Sequence, residues 1–92
     1  MSSNNWYKRY PRDFIVGTIG MTLEQKGAYG IIIDLIHDRG GSILDDPKYI
    51  SRVLGCSLKK WRLIRENLIE AGKISIEEGR IKPATRTLGA TI

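Results

Sequence analysis

Three residues, Gly55-Cys56-Ser57, separate two stretches of helical pattern, and no other feature constrains the fold of this chain so tightly. Upstream, "DDPKYISRVL" opens on Asp46, whose carboxylate suits an N-cap, and on Pro47, whose fixed φ and missing N–H suit the first helical position. Tyr49, Ile50, Val53 and Leu54 then repeat as an inward stripe before Gly55 stops the helix. Downstream, Ser57 caps a longer helix that turns Leu58, Trp61, Ile64, Leu68 and Ala71 to one side, and Gly72 closes it. A tight glycine-containing link suits two helices crossing steeply, with the second held out from the core.

The flanking sequence completes a pattern. "TLEQKGAYGIIIDLIHDRGG" predicts a long helix with a capping box at Thr22 and Gln25, apolar positions at Leu23, Ala28, Ile31, Ile32, Leu35 and Ile36, and a stop at Gly40 and Gly41. A shorter helix is expected near Arg12 or Asp13, after Pro11 and before Gly17 or Gly20. "SIL" at Ser42 to Leu44 reads as a short strand. "KISIEEGRIKP" changes the period to alternation, with Glu78-Gly79 as a two-residue turn that sets Ile76 opposite Ile81. The expected class is mainly α with a small β-hairpin, in the order of a winged helix-turn-helix, with "SIL" joining the hairpin in one sheet. At 92 residues the chain is one domain over 1–92, with 1–9 and 84–92 as its loosest parts.

Charge adds a direction. The net charge is +5, with the excess at the two ends of the sequence, and such a balance suits an acidic partner. Side chains at the start of a groove-bound helix reach base edges, and here those are Ser57, Lys59, Lys60 and Arg62. Arg80 and Lys82 on the hairpin are the expected phosphate contacts. Double-stranded DNA is thus the expected partner. Glu66 and Glu70 on the helix and Glu77 and Glu78 at the hairpin tip oppose phosphate, so only the first turns of the helix are expected to enter a groove, or the tip stays off the backbone. The same acids, with outward Leu63, support a second reading, a domain that docks on a protein of replication or of the host. Dimerisation through the N-terminal segment or the tail, on a two-fold DNA site, is a third.

Other chemistry finds little support. One cysteine forms no internal disulfide, and no second Cys or clustered His shares a metal with it, so no cofactor is expected. Cys56 reads as a small turn residue, and His37 as a polar group near helix-end carbonyls. Asp45-Asp46 is better explained by capping than as an acid/base or metal pair. "GTIGM" lacks the spacing and the lysine of a phosphate loop, so an enzyme is not expected. Trp6, Tyr7 and Tyr10, interleaved with Lys8, Arg9 and Arg12, suit either packing or stacking on single-stranded nucleic acid. The longest apolar run, "IIIDLI", is far short of the ~18 residues a membrane span needs, and no apolar signal block opens the chain, so a soluble cytoplasmic protein is expected.

"YPRDF" at Tyr10 to Phe14, "TLEQKGAYGIIIDL" at Thr22 to Leu35, Gly40-Gly41 and "LGCSLKKWRLIRENLIEAG" together resemble a domain family of unknown function found mainly in prophage and bacterial genomes. The resemblance runs from Tyr10 to the tail. It implies a winged-helix fold like the N-terminal domains of phage replication-initiator and replisome-organiser proteins, and a role in phage replication or regulation. No catalytic residue comes with it. After Tyr29 this sequence has Gly30 and a triple isoleucine where that family carries larger, mostly leucine residues.

Overall fold

A computed structural model describes residues 11–84. The expectations for residues 1–10 and 85–92, including the aromatic and basic start, lie outside that range. The described chain is mainly helical: α1 (Pro11–Gly17), α2 (Leu23–Asp38), β1 (Ile43–Leu44), α3 (Pro47–Leu54), α4 (Leu58–Glu70), β2 (Ile74–Glu77) and β3 (Arg80–Pro83).

The ends of α2 follow from side-chain chemistry. Thr22 Oγ1 accepts from Gln25 N–H at 3.1 Å and Gln25 Oε1 accepts from Thr22 N–H at 3.0 Å, so the capping box satisfies two donors the helix leaves open. At the far end, Gly40 N–H donates to His37 O and Gly41 N–H to Ile36 O, which closes the last turn. His37 Nδ1 lies 2.9 Å from Ile33 O, within the same run of terminal carbonyls. Helix α1 lies against α2 through a stack of Phe14 on Tyr29, with ring centroids 5.9 Å apart and planes within 8°.

The three strands form one antiparallel sheet in the order β1-β3-β2. "SIL" therefore joins the hairpin, with Ile43 opposite Ile81, and Ile76 faces Ile81 as the two-residue loop requires. Glu78 (φ 52°) and Gly79 (φ 73°) both take positive φ, the backbone of a type I′ turn that matches strand twist.

Helices and sheet meet in one core. Ala28, Ile32 and Ile36 of α2 pack with Ile50 of α3, Trp61, Ile64 and Leu68 of α4, and Ile43, Ile74 and Ile81 of the sheet. Gly30 of α2 is itself buried. The inward stripe expected on α3 is only half right. Ile50 is fully buried, but Tyr49 and Val53 are each 40% exposed. A two-turn helix offers the core little more than an i, i+4 pair, here Ile50 and the half-buried Leu54, and buried Ser51 fills the next place by donating to Lys48 O. Tyr49 instead meets Arg39, whose Nη2 donates to its hydroxyl at 2.7 Å. Leu23 and Ile31 of α2 and Ala71 beyond α4 also face solvent, because the core meets α2 on the side of Ala28, Ile32 and Ile36, with Tyr29, Ile33 and Leu35 at its border, and reaches only to Leu68 and Ile69 on α4.

Candidate nucleic-acid interface

The segment from α3 to α4 is built from caps. Asp46 accepts from Tyr49 N–H at the start of α3 with Pro47 in the first position, and Gly55 ends it in the left-handed region (φ 80°). Cys56 N–H donates back to Ser51 O at 3.0 Å. Its side chain is half-buried against the core, so Cys56 does act as a compact turn residue. Ser57 Oγ then accepts from Lys60 N–H at 3.0 Å and starts α4.

Burial of Trp61, Ile64 and Leu68 decides what α4 shows to solvent. Lys59, Arg62, Leu63 and Glu66 lie on the opposite side, and with Ser57 and Lys60 they line a shallow depression of about 550 Å³. Among the described residues, no carboxylate lies within ion-pair distance of Lys59 or Arg62. Both cations are presented to solvent on the first turn and a half of the helix.

The other expected cations are engaged within the chain. Lys60 Nζ donates to both carboxylate oxygens of Glu24 on α2, at 3.1 and 3.2 Å. Lys82 donates to Glu77 at 3.0 Å across the hairpin. Arg80 is half-buried and donates from Nε to Ser42 Oγ at 2.8 Å. The structure thus brings Ser57, Lys59, Lys60 and Arg62 together on one helix start and sets Arg80 and Lys82 apart from them on β3.

Sequence reading passed over two further cations. Lys48 and Arg52 on α3 are exposed, one turn apart, with no ion pair among the described residues. Their i, i+4 spacing was the available signal, and the helix stripe drew attention to the apolar positions instead. Arg65 also had no assigned role. It sits on α4 and donates from Nε to Asp45 Oδ1 at 3.0 Å, with both side chains mostly buried. That hydrogen bond raises the Arg65 guanidinium above its usual pKa. Asp45 N–H in turn donates to Gly79 O at 2.9 Å, so Asp45 ties the hairpin turn to α4. The Asp45-Asp46 pair accordingly divides its work: one carboxylate clamps, the other caps.

Among the described residues, no three His, Cys, Asp or Glu side chains group as metal ligands. No described helix is long and apolar enough to cross a membrane. Comparison with curated proteins gave no match, nor did comparison with solved structures. Residues 5–85 match one family, so the chain belongs to the family described as protein of unknown function (DUF1376).

Proposed function

We propose that this chain is a DNA-binding winged helix-turn-helix domain that acts in phage or prophage DNA replication initiation or transcriptional regulation. The observation that carries the reading is the pair Lys59 and Arg62, solvent-facing and free of acidic partners among the described residues, on the start of a helix anchored from behind by Trp61, Ile64 and Leu68. The order of α2, β1, α3, α4, β2 and β3 suits that fold.

In this reading the first turns of α4 enter the major groove. Arg62 has the planar fork that matches a guanine edge, and Lys59 supplies a point charge to a base or phosphate. Lys60 keeps its bond to Glu24 and holds α4 against α2. Arg80 and Lys82 reach phosphate by sharing protons beyond those given to Ser42 and Glu77. Lys48 and Arg52 extend the phosphate contacts along α3. The Arg65 to Asp45 clamp holds the hairpin at a set angle to α4, which fixes the spacing between helix and hairpin contacts.

Titrating a random duplex at two salt concentrations tests the proposal. Lys59→Ala with Arg62→Ala should weaken binding strongly, and each lost phosphate contact should flatten the salt slope by ~0.9. Lys60→Ala should change DNA affinity much less. Binding that is absent at low salt, or indifferent to Lys59 and Arg62, would sink it.

A second reading rests on Leu63, which is 61% exposed beside Glu66 in the same depression. An apolar side chain rimmed by both charges suits a protein surface, so docking on a replication or host factor is the alternative role for this face.

A further inference from the structure

Strand β2 is a free edge of the sheet among the described residues, since the strand order is β1-β3-β2. In an antiparallel pair, alternate residues turn their N–H and C=O groups towards the partner strand and away from it. Ala84 N–H donates to Lys73 O at 3.2 Å, and the register sets Ser75 opposite Lys82 and Glu77 opposite Arg80. Ser75 and Glu77 therefore direct their backbone groups into the ladder with β3, as does the Lys73 carbonyl, while Lys73 N–H donates to Leu68 O at 2.9 Å. Ile74 and Ile76 direct theirs outward, off the edge.

Edges of this kind are usually blunted by proline, a bulge, an inward charge or sheer shortness. β1, at the other edge, is only two residues long. β2 has four residues with no proline, an unbroken register and isoleucine at both inward positions. A concavity of about 410 Å³ lies along it, walled by Ile69, Gly72, Ile74 and Ile76.

We propose that β2 pairs antiparallel with β2 of a second copy of this chain, about a two-fold axis at Ser75. This register sets Ile74 opposite Ile76 of the second copy, and the outward groups of both residues in both copies then close four backbone hydrogen bonds. It also sets Lys73 opposite Glu77, twice by symmetry, so the edge is complementary in charge to itself. Both groups have capacity to spare: Lys73 Nζ gives one of its three protons to Gly17 O, and Lys82 takes one of the two oxygens of Glu77. A slip of two residues either way gives up the ion pairs and half of the bonds. Ile76 of the second copy covers the concavity beside Ile69.

Such an axis runs normal to the sheet and points the two hairpin turns in opposite directions. If the DNA reading holds, the pair bridges two duplex segments; the strand pairing itself does not depend on that reading.

Ser75 meets itself as a non-hydrogen-bonded pair, where Cα atoms lie ~4.5 Å apart, inside the range a disulfide spans. In a Cys56→Ser background, Ser75→Cys should form a covalent dimer on mild oxidation of micromolar protein, while Glu78→Cys should stay largely monomeric. Sedimentation of the unaltered chain should show a concentration-dependent dimer that Ser75→Glu abolishes. Ser75→Glu places its carboxylate opposite Lys82, so the hairpin survives, and unchanged circular dichroism confirms folding. Equal cross-linking at both positions, a monomer up to millimolar concentration, a dimer indifferent to Ser75→Glu, or pairing that appears only after removal of residues 85–92 would each overturn the proposal. DNA titration of the same variants separates the two ideas, because monomeric Ser75→Glu should still bind duplex through Lys59 and Arg62.

Discussion

Asp45 shows how a side chain can carry a structural role that its sequence neighbourhood does not assign. In sequence it stands beside Asp46, and capping accounts for one carboxylate only. Its partner, Arg65, is twenty positions away and meets it only once α4 packs beside the sheet, so no local pattern announces the pair. The guanidinium's pKa is raised, so its contribution to stability is complete below the usual arginine value and fades only as pH climbs past the raised one. Across the ordinary pH range Arg65 stays charged. Asp45→Ala leaves a mostly buried cation with only the looser Glu66 contact at 3.9 Å and should cost about 3 kcal/mol in denaturant unfolding. Hydrogen exchange should also quicken at the residue 45 amide, which donates to Gly79 O and loses the anchor of the clamp. Lys60 is the opposite case, since its ion pair with Glu24 is about half exposed, and Lys60→Ala should cost at most about 1 kcal/mol. Lys59 and Arg62 were legible because helical period alone sets them opposite Trp61. That Lys60, Arg80 and Lys82 are engaged within the chain was not, because each bond crosses between elements.

Elements were legible where punctuation is chemical. Thr22, Asp46 and Ser57 each cap the helix assigned to them, and Glu78-Gly79 makes the expected turn. The failures concern faces: two positions of short α3, Leu23 and Ile31 of α2, and Ala71 beyond α4. On α3 a stripe of four apolar residues looked inward, yet only Ile50 is fully buried, because depth depends on what packs above a helix as well as on its period. Gly55 is the element-scale test of the turn. A Cβ there would meet nothing within 4 Å, so the only penalty for Gly55→Ala is its φ of +80°. That substitution should cost about 1–2 kcal/mol in thermal or denaturant unfolding. Ser57→Ala removes the cap of α4 and should cost about 1 kcal/mol.

At the scale of the molecule, one small core joins α2, α3, α4 and a three-stranded sheet, with α1 laid against α2 outside it, and the charge lies outside the core. The net charge of +5 is spread unevenly. On the proposed DNA reading, acids at Glu66, Glu77 and Glu78 would confine phosphate contacts to the start of α4 and its neighbours, with exposed Lys48 and Arg52 on α3 as further contacts. Fold order was readable from caps, turns and the change of period. Which cations remain available was decided by packing, so it emerged only with all the elements in place. If the first turns of α4 do bind DNA, a chemical-shift map of the isotope-labelled chain with random duplex will register it most directly. The largest shifts should fall on Ser57 to Arg62, with smaller ones at Lys48, Arg52, Arg80 and Lys82, and all should fade as salt rises. An unperturbed spectrum at low salt, or shifts confined to surfaces away from α4, would contradict DNA binding through this helix.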